Sequence, residues 1–129
     1  MARILVVDDE PLIAMLAEAW LTELGHAPVG PAHNLAAGLA LAETAIDGAI
    51  IDVSLRRDAG YPIAQALMAR NIPFVLATGH IRADVDPAYQ GLEPLLKPFQ
   101  FEAFERSVRA LLSARAGDAA ETAKLERSA

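Results

Sequence analysis

Three acidic residues stand where apolar runs stop. Asp8 and Asp9 close Ile4-Leu5-Val6-Val7, and Asp52 closes Ala49-Ile50-Ile51. A lysine, Lys97, stands directly before Pro98-Phe99. Ligands of open parallel sheets collect at the carboxyl ends of the strands, so these runs, read as strands, deliver three carboxylates to one crevice. Crowded carboxylates repel one another unless a cation neutralises them. A hard divalent ion suits them, since Mg2+ takes oxygen ligands, keeps several waters and is held by one or two carboxylates plus a phosphate. Lys97 then supplies a second, compact positive charge for a phosphoryl oxygen. The pattern points to phosphoryl chemistry with a carboxylate nucleophile. Any one of these residues alone reads as a solvated acid or a surface lysine, whereas four together at the ends of apolar runs do not.

The elements that must position them alternate along the chain. Short apolar runs at Arg3 to Val7, Ala27 to Gly30, Gly48 to Val53, Phe74 to Thr78 and Pro94 to Lys97 are separated by stretches of helical periodicity. That alternation predicts βα units around a parallel sheet, and the nearly polar-free central runs predict helices on both faces. The first helix is bounded by Pro11, suited to a first turn, and Gly25, suited to a C-terminal stop. Ile13, Leu16, Ala17, Trp20, Leu21 and Leu24 form its apolar stripe. Asn34 is placed to cap a second helix through about Thr44, with Leu35, Leu39 and Ala42 on one face. A third helix is expected from Pro62 to Arg70, with Ile63, Ala66 and Leu67 inward. A last one begins near Gln100 and carries Phe101, Phe104, Val108, Leu111 and Leu112 at core spacing. Between Thr78 and Pro94, Pro87 and its neighbouring aspartates oppose a continuous helix, so an irregular segment is expected over 80–92.

Bulk properties narrow the function. The 129 residues fit one domain, with 17 Asp and Glu against 11 Lys and Arg for a net charge of −6. That balance opposes an electrostatic nucleic-acid footprint and binding to a membrane surface. The absence of cysteine removes disulfides, thiolate nucleophiles and zinc fingers, and suits a reducing cytoplasm. Acid comes too early at the N-terminus for a signal peptide, and no run approaches the ~20 apolar residues of a membrane span. Residues 2–113 are expected to form the domain and 114–129 a solvated tail or helix extension. Gly30 and Gly38 make no dinucleotide fingerprint, and His26 and His33 have no metal-ligand spacing and read as surface residues. Asp8 or Asp9 could additionally cap the first helix, and Arg56-Arg57-Asp58 reads as a solvated loop beside the site, with docking of a partner as its other reading.

Asp-Asp after the first strand, Asp after the third, Thr78 after the fourth and Lys97-Pro98 after the fifth closely resemble the receiver domain of two-component response regulators. The resemblance implies an α/β fold, a doubly wound, flavodoxin-like five-stranded sheet of order 2-1-3-4-5. It assigns Asp52 as the phosphoacceptor for a histidine kinase, Asp9 as a direct Mg2+ ligand and Asp8 as a ligand acting largely through water. The backbone carbonyl of Ser54 would complete the metal site. Thr78 takes the place of the switch hydroxyl, Lys97 that of the lysine pairing with the phosphoryl group, and Lys97-Pro98 that of a cis peptide. His80 stands where this family tunes phosphoryl lifetime, with an exposed loop histidine as the plain alternative. The segment Pro73-Phe74-Val75-Leu76-Ala77-Thr78-Gly79 is similar to a subgroup of mostly single-domain receivers served by HWE and HisKA2 kinases, in which Leu76 replaces a second Phe. Asp52-Val53-Ser54-Leu55 and Gly60-Tyr61-Pro62-Ile63 share that likeness. Most receivers carry a swinging aromatic three residues before the lysine, whereas this chain has Pro94, which shifts the expected output to Thr78 and the 80–92 segment.

The functional expectation is therefore a stand-alone phosphoryl acceptor that changes its affinity for a downstream protein or phosphotransferase. It would catalyse only its own phosphorylation and dephosphorylation, as a monomer or weak dimer. A receiver-like adaptor working without phosphorylation is one alternative. A Mg2+-dependent phosphatase of the haloacid dehalogenase type is the other, and it wants Asp-x-Asp where this chain reads Asp52-Val53-Ser54.

Overall fold

The computed structural model describes residues 1–55, 58–79, 89 and 94–113. Its elements run β1 (Arg3–Val7), α1 (Pro11–Glu23), β2 (Ala27–Ala32), α2 (Leu35–Ala42), β3 (Gly48–Asp52), the short β4 (Ser54–Leu55) and β5 (Asp58–Ala59), α3 (Tyr61–Ala69), β6 (Phe74–Thr78) and β7 (Leu95–Leu96). A further helix, α4, covers 101–113. The main sheet has the order β2-β1-β3-β6-β7, all parallel, which is 2-1-3-4-5 when its own strands are counted. This is the doubly wound, flavodoxin-like receiver fold.

Strand alternation splits the core in two. Leu5, Val7, Ala49, Ile51 and Leu76 face one side, where they pack with Ile63, Ala64 and Leu67 of α3 and Ala42 of α2. Ile4, Val6, Ile50, Val75 and Ala77 face the other, against Ala14, Ala17 and Leu21 of α1 and Phe104, Val108 and Leu111 of α4. With both faces covered, all five residues of β3 are buried. Trp20 bridges α1 to α4, meeting Phe101 and Phe104 edge-on at centroid distances of 5.3 and 5.4 Å.

The helix boundaries follow local chemistry. Pro11 opens α1, and Gly25, at φ +87°, follows its C-cap. Asn34 caps α2, its Oδ1 accepting the Ala37 amide at 2.8 Å. The α1 cap position belongs to Glu10, whose side chain makes no capping bond, while Asp8 Oδ1 accepts the Glu10 amide at 2.9 Å at the helix entry. Ala14 is fully buried where the apolar stripe read from Ile13 and Leu16 would have put the centre, because a small residue lets the helix approach the sheet.

Three further differences from expectation have physical reasons. β2 runs past Gly30 to Ala32, since Gly30 takes φ +99° and absorbs a register shift against Leu5 and Val7. The Gly30–Pro31 peptide is cis, as is Lys97–Pro98. Asp58, read as solvated loop, pairs with Leu55 in the β4-β5 hairpin, an element whose Asp and Ala give no strand signal. Tyr89, inside the segment expected to be irregular, is buried and stacks on Tyr61 at 4.9 Å. The rest of that segment, apart from Tyr89, lies outside the described residues, as do Arg56, Arg57 and the 114–129 tail.

The hairpin turns back through Gly60, whose amide donates to the Val53 carbonyl at 2.9 Å. A Cβ at Gly60 would collide with the Asp52 carbonyl oxygen and crowd Ile51 Cγ2 at 2.9 Å, whereas one at Gly79 would meet nothing within 4 Å among the described residues. Gly60→Ala is therefore expected to cost about 2 kcal/mol in urea unfolding, as overpacking does, and Gly79→Ala no more than about 0.5 kcal/mol. Equal losses for the two would contradict the close packing assigned to this turn.

Candidate functional site

Register brings the chemistry together. Val7 pairs with Ile51 across β1 and β3, so Asp8 and Asp52 emerge side by side at the carboxyl edge. Asp52 pairs with Ala77 and Thr78 with Leu96, which sets Thr78 and Lys97 one step further along the same edge. The Lys97 amide donates to the Thr78 carbonyl at 2.9 Å, tying the last two strand ends together. Asp8, Asp52 and Thr78 are the buried polar or charged residues among those described, and all three lie here. A fold that hides polar groups elsewhere only behind apolar ones keeps its exceptions for one place.

Lys97 is the hub. Its Nζ lies 3.2 Å from Asp8 Oδ2, 3.0 Å from Glu10 Oε1 and 3.0 Å from Asp52 Oδ2. An ammonium has three donors, and here each faces a different carboxylate. The second oxygens of Asp8 and Asp52 are also held, with the Glu10 amide donating to Asp8 Oδ1 at 2.9 Å and the Ser54 amide to Asp52 Oδ1 at 3.0 Å. What the structure places at Asp52 is thus the Ser54 amide. Pro98 is exposed beside Lys97, and His80 lies outside the described residues.

Glu10 is the residue that sequence reasoning missed. Its signal was visible as the third acid of Asp8-Asp9-Glu10 directly before Pro11, a position that must turn back over the strand edge as the helix begins. Asp8, Asp9, Glu10 and Asp52 each offer a carboxylate oxygen within 4.8 Å of the others. Four carboxylates against one ammonium leave a formal charge of −3. Among the described residues this cluster offers only carboxylate oxygens, which fits a hard cation such as Mg2+ rather than a soft metal.

The cost of this crowding falls on the acids. Burial pushes the Asp52 carboxyl up to about 7, against the pull of the Ser54 amide and Lys97 and with a further push from Asp8. Burial raises Asp8 as well, opposed by the Glu10 amide and Lys97. Burial also acts to lower Lys97, but its bonds to Glu10 and Asp52 prevail and hold its ammonium form above the usual lysine range.

A buried carboxylate cluster sharing one lysine thus lies at the carboxyl edge of a doubly wound sheet, where α/β proteins of this kind bind their ligands. The comparisons give the family. Residues 4–109 match the family model of the response regulator receiver domain, and the chain belongs to that family. It is 43% identical to SdrG from Sphingomonas melonis Fr1, over 87% of this chain and 97% of that one, with a TM-score of 0.77. The BeF3-activated conformation of SdrG from Pseudomonas melonis Fr1 is similar at 43% identity and TM-score 0.73, over 85% of this chain and 95% of that one. A response regulator receiver protein of Sinorhizobium medicae WSM419 shares 27% identity over 88% of this chain and 96% of that one, with a TM-score of 0.76. No curated protein matches. Among the described residues no helix is long and apolar enough to cross a membrane.

The raised Asp52 carboxyl has a consequence for stability. Between the ordinary carboxylate range and about pH 7, folded Asp52 retains a proton that the unfolded chain has released. Its contribution to stability is therefore present in acid and lost as pH rises through 7. The melting temperature of the metal-free protein should fall more steeply between pH 5 and 8 than that of Asp52→Asn, which should gain an advantage of about 4 °C by pH 8. Parallel curves for the two proteins would contradict this assignment.

Proposed function

We propose that the chain is a phosphoryl-accepting response regulator of two-component signalling, with Asp52 as the acceptor. The observation that carries this reading is a buried Asp52, one oxygen on the Ser54 amide and the other on Lys97, inside a carboxylate cluster of a receiver-family chain. In the transfer, an Asp52 oxygen forms a bond to phosphorus as the P–N bond of a kinase phosphohistidine breaks and the imidazole leaves with the electron pair. Asp8, Asp9, Asp52 and the Ser54 carbonyl are the groups proposed to hold Mg2+, which when bound neutralises charge on the phosphoryl oxygens. Lys97 then exchanges a carboxylate for a phosphoryl oxygen, and Thr78 turns its hydroxyl to the same group. His80 follows that threonine at the place proposed to tune phosphoryl lifetime.

The added group brings about −1.5 to −2 charges and needs only to shift an existing conformational equilibrium. The output is an altered affinity for a downstream protein or phosphotransferase in the cytoplasm, with no turnover of an external substrate. The kinase we propose is of the HWE or HisKA2 type, a reading supported by the Pro73 to Gly79 segment.

Intact-mass spectrometry after incubation with Mg2+ and acetyl phosphate tests the central step. A single hydroxylamine-labile phosphoryl adduct is expected on the wild type and none on Asp52→Asn. An adduct of equal yield on both proteins would refute Asp52 as acceptor. In transfer assays from autophosphorylated kinases, faster transfer from an HWE kinase than from a conventional HisKA kinase is expected, and the reverse order would overturn the kinase assignment.

A further inference from the structure

The main chain at Asp8 is gripped from one neighbouring strand by two consecutive residues. The Asp8 amide donates to the Ala32 carbonyl at 3.0 Å, and the Asp8 carbonyl lies 2.9 Å from Nδ1 of His33. A carbonyl can only accept, so this contact requires His33 to carry its proton on Nδ1. The first bond fixes the Val7–Asp8 peptide plane and the second fixes the Asp8–Asp9 plane. The two planes meet at the Asp8 α-carbon and set where the Asp8 side chain leaves the backbone, and the second of them also carries the Asp9 nitrogen and α-carbon, which fixes one of the two planes that orient Asp9.

We propose that His33 is a positioning residue for the cation site, holding the Asp8–Asp9 peptide in the orientation that aims both carboxylates into the cluster and thereby setting its divalent-cation affinity. The inference rests on the reading of Asp8, Asp9 and Asp52 as Mg2+ ligands. His33 is suited to the task by its place one residue beyond the end of β2, a strand that reaches it only because Gly30 absorbs the register shift. Its side chain is exposed and contributes nothing to either core, so its replacement leaves the packing of the sheet intact. The Glu10 amide bond to Asp8 Oδ1 then fixes the next turn, and the strand edge becomes rigid from Val7 to the start of α1.

The test is a Mg2+ titration followed through backbone amide shifts, without any phosphodonor, on wild type, His33→Ala and His33→Asn. Asparagine can place an amide N–H near the position of Nδ1 and serves as the rescue. His33→Ala is expected to weaken Mg2+ binding about three- to tenfold, the worth of one hydrogen bond, and His33→Asn to restore it to within about twofold. In the wild type the neutral His33 ring should show the 15N pattern of a protonated Nδ1 and a bare Nε2. Wild-type affinity in His33→Ala, or no recovery in His33→Asn, would overturn the proposal while leaving the metal site standing. No Mg2+-dependent shift in the wild type would instead remove the metal reading, and the proposal with it.

Discussion

A single ammonium group holds this strand edge together. Lys97 reaches Asp8 at the end of β1, Glu10 at the entry to α1 and Asp52 at the end of β3, partners separated from it by 89, 87 and 45 residues of sequence. Two of these carboxylates are buried and could not sit side by side in a partly dry crevice without a shared cation. The three ion pairs do not discharge the cluster, because a formal charge of −3 survives once Asp9 is counted. The site is thus assembled but under-neutralised. That condition favours uptake of a divalent cation.

The rest of the fold makes this tension tolerable. Alternating residues of β1, β3 and β6 feed two separate apolar cores, one ending at Val7 and Ile51 and the other at Val6 and Ile50, so both stop short of Asp8 and Asp52. The cost of crowding carboxylates is confined to the edge, while Phe104, Leu67 and Ile63 are packed without exposure deeper in the layers. Hydrogen bonds do the fine placement. The Ser54 amide holds one oxygen of Asp52 and the Glu10 amide one oxygen of Asp8, while the Ala32 carbonyl and the His33 ring hold the chain from which Asp8 and Asp9 project.

The sequence announced this edge because strand-end acids and a Lys-Pro pair are local signals read directly from Val7-Asp8-Asp9, Ile51-Asp52 and Lys97-Pro98. The sheet order followed from the family likeness, and the two-sided core from the apolar composition of β1 and β3. What escaped was long-range or hidden in weak composition. Glu10 went unread because only the fold brings Lys97 to it. His33 looked like surface, which it is, and only the extension of β2 through Gly30 sets it against the Asp8 carbonyl. The β4-β5 hairpin is formed by residues with poor strand propensity and is imposed by the turn at Gly60, whose amide reaches back to Val53.

The central claim is that burial and crowding prime Asp52 for a cation that relieves them. Carboxyl 13C titration of Asp52 by NMR, with and without saturating Mg2+, reads this directly. The account predicts a midpoint near 7 in the metal-free protein and a fall of at least one pH unit when Mg2+ is present, since bound charge favours the ionised form. A midpoint in the ordinary carboxylate range that Mg2+ leaves unmoved would contradict it.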